Sequence, residues 1–206
     1  MLNVLIILLL GFFIGSLINI LFNKIQKPYV KSYFNHFKNL KSILVFVLVE
    51  VVLVIIYKKY GINLKFFNYV ALFSVLIFAS LTDLRDRSIP NRLIIIGFSL
   101  GIIFSAVTIS FDVIFNSFLG AIVSGGMLLI LSLLSKGGIG MGDVKLLACT
   151  GLYFGFYNAM AVVIVATILS GLFAIALLIT KKYKQESSIP FAPFIFLGSF
   201  ITLLNI

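Results

Sequence analysis

Apolar residues fill long blocks of this chain, at 2–22, 42–57, 66–82, 93–109, 113–135, 144–156, 158–180 and 190–206, each bounded by charge or by Gly, Pro and Asn. A helix crosses a bilayer untilted with ~20 apolar residues, and several blocks fall short of that. The sixth block, which follows Gly142, is the weakest and reads as a half-span or a broken helix. The pattern predicts an all-α fold: a polytopic membrane helix bundle of about eight transmembrane helices, the sixth short or broken. No Pro- or Ser-rich linker, low-complexity tract or repeat interrupts it, so 1–206 is expected to be a single domain. The first block lacks a basic leading region and an A-x-A-like cleavage site, and is expected to be a retained span rather than a signal peptide.

With eight spans the loops alternate between the two membrane faces. Thirteen of the sixteen Lys and Arg then fall on one face, and Lys58, Lys59 and Lys65 fall on the other. Basic loops stay in the cytoplasm. The expected orientation is therefore a multi-pass protein of the cell membrane with both termini extracytoplasmic. The short basic segment 24–42 lies on the cytoplasmic face.

Composition supports the same setting. The chain is 62% apolar with a mean hydropathy of +1.22. A water-soluble core of 206 residues cannot hide that much hydrocarbon. The net charge of +10 is dispersed in short clusters between apolar blocks, without a basic groove with interleaved aromatics, so membrane lipid rather than nucleic acid is the expected partner. Cys149 is the only cysteine and His36 the only histidine, which leaves neither a disulfide framework nor a cysteine zinc site.

Only six acidic residues remain to carry chemistry. Asp112, in ISFDVIF, is expected to cap the following helix, and Glu186 to be solvated beside its basic cluster. Asp86 sits among Arg85, Arg87 and Arg92, where a local ion pair is expected. Glu50 lies inside VFVLVEVVLVII, where an ionisable group costs about 2.5 kcal/mol or more unless it is paired or protonated, so it should face the bundle. A structural polar contact is favoured there over a direct chemical role.

Asp83 and Asp143 form the informative pair. Asp83 closes the third block in FASLTDLRDRSIPNRL, and Asp143 opens the sixth in KGGIGMGDVKLL. The threading above brings both to the cytoplasmic membrane face. Two carboxyls together in a low-dielectric place tend to share one proton, so one can activate water while the other protonates a carbonyl oxygen. Gly140 and Gly142 would let the backbone turn and a peptide approach. A purely structural alternative has both aspartates serving as helix-end residues. Phosphate-cradling glycine motifs do not fit the spacing of GGIGMGDVK, and no strand precedes it.

These residues carry a family likeness. GMGD with the following VKLL, which includes Lys145, resembles the GxGD signature of the type IV prepilin peptidases and archaeal preflagellin peptidases. DLRDRSIPN is similar to the family's first aspartate motif, with Asp83 seven residues before Pro90. GFFIGSLINILFNKI resembles the opening G-x-x-x-G-S-x-x-N helix, in which Asn19 is the final position. VLVEVVLVIIY resembles the second helix, with Glu50 at the family's Glu, and IPFAPFIFLGSF the closing P-F-G-P-F segment, with Ala192 in place of the usual Gly.

The resemblance implies a membrane aspartic endopeptidase that removes the leader of prepilin-like or pseudopilin substrates at the cytoplasmic membrane face. Asp83 and Asp143 would be catalytic, Gly140, Gly142, Lys145 and Pro90 would support the site, and Glu50 and Asn19 would give polar support within the membrane. No metal and no cofactor are expected. Many bacterial members bind zinc through two C-x-x-C pairs in the first cytoplasmic loop and also methylate the new pilin N-terminus. NKIQKPYVKSYFNHFKNLK has no cysteine, which removes the zinc clip and puts N-methylation in doubt; S-adenosylmethionine would be needed only if that activity is kept. His36 there is expected to be a surface residue. The competing classes are a proton-coupled transporter, which would want acids at mid-membrane where only Glu50 stands, and a non-enzymatic subunit of a pilus or secretion machine.

Overall fold

The computed structural model describes residues 2–24, 37–134, 139–179 and 189–206, with the side chains of 2–6, 23–24 and 37–41 excepted. The described residues form seven helical elements and no strand: α1 (Leu2–Lys24), α2 (Phe37–Tyr60), α3 (Leu64–Asp86), α4 (Asn91–Val107), α5 (Phe111–Leu134), α6 (Met141–Ile179) and α7 (Ala192–Asn205). The blocks expected at 144–156 and 158–180 are one element. Gly155 breaks it, with φ 70 and ψ 178 inside an otherwise helical run. At ~1.5 Å per residue an unbroken helix of this length would reach about 58 Å, nearly twice the ~30 Å hydrocarbon core.

Among the described residues, three helices are long and apolar enough to cross a membrane, Leu64–Asp86, Phe111–Leu134 and Met141–Ile179. Ile7–Phe22, Asn91–Val107 and Ala192–Asn205 are shorter apolar helices. Large side chains such as Phe12, Phe13, Ile95, Ile122 and Ile168 remain exposed along them. In water such a surface would drive aggregation; in lipid it is the solvated face. The described residues are those of an all-helical membrane protein. The segment 25–36, with His36 and most of the loop without zinc-binding cysteines, and Glu186 lie outside the described residues.

The chain divides into two compact units, 1–74 and 75–206. In the first, α1 packs on α2, with the Phe12 ring stacked on Phe46 at 5.6 Å. Gly61, at φ 64, closes α2 through its N–H to Tyr57 O, and Asn63 Oδ1 accepts the Phe66 N–H at 2.9 Å to cap α3.

In the second unit, α5 and α6 touch backbone to backbone. A Cβ on Gly120 would stand 2.4 Å from Gly151 O, and one on Gly151 would stand 2.3 Å from Gly120 O. Small residues permit this close approach, the usual means of joining helices in lipid, where burial alone gives no drive. Ser124 Oγ donates to Leu147 O at 3.1 Å across the same seam, and Tyr153 Oη donates to Gly97 O of α4 at 2.7 Å. The first arm of α6, 141–154, is thereby fixed between α4 and α5. Asn116 of α5 serves the break, since its Oδ1 accepts the Phe156 N–H at 3.1 Å. Asp112, expected as a cap, lies in the first turn of α5, where a carboxylate meets the positive end of the helix dipole.

Candidate active site

The end of α3 is built by a local turn. Arg87 N–H donates to Asp83 O at 2.9 Å, and Arg87 itself adopts φ 50, the left-handed conformation that closes helices. That conformation costs a side-chain-bearing residue about 1 kcal/mol. Three residues on, Pro90 is the N-cap of α4 at φ −62. The seven-residue spacing from Asp83 to Pro90 thus spans one helix end, one turn and the next helix start. Asp86 is tied locally: Arg85 Nε donates to both of its carboxylate oxygens at 3.0 Å, and Arg85 Nη2 forms an ion pair with it. The expected ion pair is present.

Asp83 itself is turned inward and only 5% exposed. Its Oδ2 accepts the Ala192 N–H at 3.0 Å, and the Phe191 amide also faces the carboxyl. This contact follows from the makeup of α7. Its N-cap, Phe191, has no capping side chain, and Pro193 in the first turn has no N–H. Phe194 N–H turns back to Phe191 O, so the Ala192 N–H is an orphan donor that needs an acceptor from elsewhere. Asp83 supplies it. Sequence reasoning placed Ala192 in a family-like segment without this partnership, because the two residues are 109 positions apart.

Asp143 stands in the first turn of α6 and is 9% exposed. Its N–H and that of Val144 donate to Gly140 O at 3.1 and 3.3 Å, while the Gly140 backbone N–H hydrogen-bonds its carboxyl. This is half of a capping box, with glycine where Ser or Thr would stand. A Cβ on Gly140 would come 3.2 Å from Asp143 Oδ2, so glycine leaves the carboxyl its room. One on Gly142 would rest on Ile89, in the turn that follows Asp83, at 3.4 Å. Asp143 Oδ1 is buried without a hydrogen-bond partner.

The charge of Asp83 acts on Asp143. Arg87 places a positive charge on the Asp83 side of the pair. Lys145 Nζ donates to Asn91 Oδ1 at 3.2 Å, joining the first turn of α6 to the residue after Pro90. Ser132 Oγ of α5 donates to Ile139 O at 2.8 Å, anchoring the approach to the glycines. Asp83, Pro90, Gly140, Gly142, Asp143 and Lys145 therefore lie around the same helix ends within the second unit. Glu50 and Asn19 belong to the first unit. There the Glu50 carboxyl occupies the place of the side chain that Gly11 lacks, and Asn19 Nδ2 donates to Ser42 O at 3.5 Å.

An apolar cleft between α4, α5 and α6 begins beside this site. Met141 and Lys145, each two residues from Asp143, line one part, and Phe98, Ile102, Phe118 and Leu152 line others. Among the described residues, no three His, Cys, Asp or Glu side chains gather as metal ligands would.

Comparison with known proteins converges on the same region. Residues 70–175, which contain both aspartates, match the type IV leader peptidase family. A Bacillus subtilis (strain 168) protein described as prepilin leader peptidase/N-methyltransferase is 32% identical over 147 residues, covering 71% of this chain and 58% of that protein. Proteins of the same description from Aeromonas salmonicida (strain A449) and Aeromonas hydrophila are 33% identical over 72 residues and 27% identical over 135. Those matches cover 35% and 63% of this chain, and 25% and 46% of the relatives. The chain thus spans under two thirds of the length of these curated relatives. No solved structure matches it.

Proposed function

We propose that this chain, which belongs to the type IV leader peptidase family, is an aspartic endopeptidase that removes the leader from prepilin-like substrates at the cytoplasmic membrane face. One observation carries the reading: within the matched region, two buried carboxyls come from different helices, and the charge of Asp83 acts on Asp143. Such a pair can hydrolyse a peptide. One carboxylate takes a proton from water as its oxygen attacks the carbonyl carbon, and the other carboxyl gives a proton to the carbonyl oxygen. Neither step calls on a metal or cofactor.

The apolar cleft beside Asp143 supports a substrate whose cut lies next to a hydrophobic segment. With the two arms of α6 on either side of Gly155 counted as separate spans, the segregation of Lys and Arg between the two sets of loops supports a cytoplasmic site with both termini on the other side. The relatives' names also include N-methyltransferase.

Asp83 has a structural duty as well, since it caps α7. That observation favours a second reading in which the aspartates only hold helix ends in a non-enzymatic subunit. Co-expression with a prepilin in a host lacking its own peptidase separates the two, with pilin mass read by mass spectrometry. Loss of the leader with wild type, absent with Asp83→Asn and Asp143→Asn and kept with Asp86→Asn, is the expected result. Asn keeps a carbonyl oxygen for the Ala192 N–H, so a folded Asp83→Asn that still cleaves would leave Asp83 a helix cap and end the two-aspartate mechanism, whereas a folded wild type that leaves the prepilin uncut would favour the non-enzymatic subunit. An added ~14 Da on the new N-terminus would assign methyl transfer too.

A further inference from the structure

The two carboxyls of the site do not have equivalent surroundings. Asp83 Oδ2 accepts the Ala192 N–H, the Phe191 amide faces the same carboxyl from α7, and Arg87 adds a positive charge from the turn after α3. Asp143 receives the single Gly140 N–H, and its Oδ1 lies buried without a partner. Backbone donors and a cation stabilise a carboxylate, whereas a buried oxygen without a donor is better carried as part of a neutral carboxylic acid.

We propose that the α7 amides and Arg87 keep the negative charge of the pair on Asp83, which makes Asp83 the base and Asp143 the proton donor, with Arg87 a positioning residue acting through Asp83. The assignment rests on the peptidase reading above. In the first step a water proton passes to Asp83 while the water oxygen bonds to the carbonyl carbon, and the Asp143 proton passes to the carbonyl oxygen. A gem-diol forms. In the second step Asp83 gives its proton to the amide nitrogen as the C–N bond breaks, and one diol hydroxyl returns its proton to Asp143. The products are a carboxylic acid and an amine, and the pair is back in its starting state.

Arg87 is suited to the test because it is exposed and at φ 50, where glycine is at ease. Arg87→Gln removes the charge, Arg87→Gly removes it while relieving the backbone, and Arg87→Lys keeps it. The charged group acting on Asp83 is Arg87, the charge of Asp83 in turn acts on Asp143 of α6, and α7 contributes amides. Without the Arg87 cation, ionised Asp83 is less favoured and the base stays protonated to higher pH. The acidic limb of kcat/KM should then move up by about half a pH unit in both neutral variants, and the alkaline limb by less. Arg87→Lys should restore the wild-type profile.

The measurement uses the full chain in proteoliposomes with a full-length prepilin, and each limb belongs to the coupled pair, so the comparison is which limb moves more. A larger shift of the alkaline limb would reverse the roles and overturn the proposal. A uniform fall in rate with neither limb displaced would overturn it as well, since a merely structural Arg87 acts that way. If wild type fails to cleave, the peptidase reading itself falls and the assignment with it; if wild type and Asp83→Asn both cleave, the peptidase stands and Asp83 is not its base.

Discussion

This molecule buries carboxyl groups in two very different ways. Glu50 sits in the middle of α2, its carboxyl packed into the space left by Gly11 and its Oε2 buried without a hydrogen-bond partner. Asp83 and Asp143 sit at helix ends, where Ala192 and Gly140 offer N–H groups that no helix uses. Mid-helix backbone is already fully bonded, so a carboxyl there has only side chains to turn to. At helix ends the backbone itself supplies donors. Helix ends are therefore where this fold can give a buried carboxyl backbone donors, and the middle of a helix is where an acid serves packing.

The sharpest test of that contrast is chemical. Asp83→Asn and Asp143→Asn should each lower prepilin cleavage by about 10⁴-fold, the scale of losing an acid or base from a coupled pair. Glu50→Gln should leave cleavage at the wild-type level in the same assay. A comparable loss with Glu50→Gln would erase the distinction between the two places.

The next effect is on stability. A Cβ on Gly11 would come 2.5 Å from the Glu50 carboxyl carbon, so Gly11→Val should cost about 1–3 kcal/mol in thermal denaturation of the solubilised protein. Glu50→Ala in the same chain should recover part of that loss, because the two changes share one contact. Additive losses would show that Gly11 does not make room for Glu50.

A smaller effect separates the two duties of Asp83. Asp83→Ala should be about 1 kcal/mol less stable than Asp83→Asn, because only Asn retains an acceptor for the Ala192 N–H, while both variants are equally inactive. Equal stability would mean that the cap contributes little. Smallest of all, Asp86→Asn should leave cleavage unchanged, since Asp86 is exposed and paired to Arg85.

What the sequence could reveal follows from how local each feature is. Six of the eight apolar blocks reappear as helices α1 to α5 and α7, because a hydrophobic block needs no distant partner to become helical in lipid. The turn from Asp83 to Pro90 and the glycines before Asp143 were legible for the same reason. The sixth block, 144–156, reads as short or broken from its sequence, but neither the place of the break, Gly155, nor its service by Asn116, 40 residues away from Phe156, is legible there. The asymmetry of the aspartates was equally hidden, since it depends on an amide of α7. Glu50 was expected to face the bundle, but no window around it could name Gly11.

The contact between Asp83 and Ala192 also gives the site a timetable. Chains are synthesised from the N-terminus, and the amide that holds Asp83 is added 109 residues after the aspartate it serves. Both aspartates can therefore be in the membrane while Asp83 still lacks its α7 donors. The electrostatic setting of the pair is completed only when α7 docks, so the last described helix to leave the ribosome is the one that finishes the site.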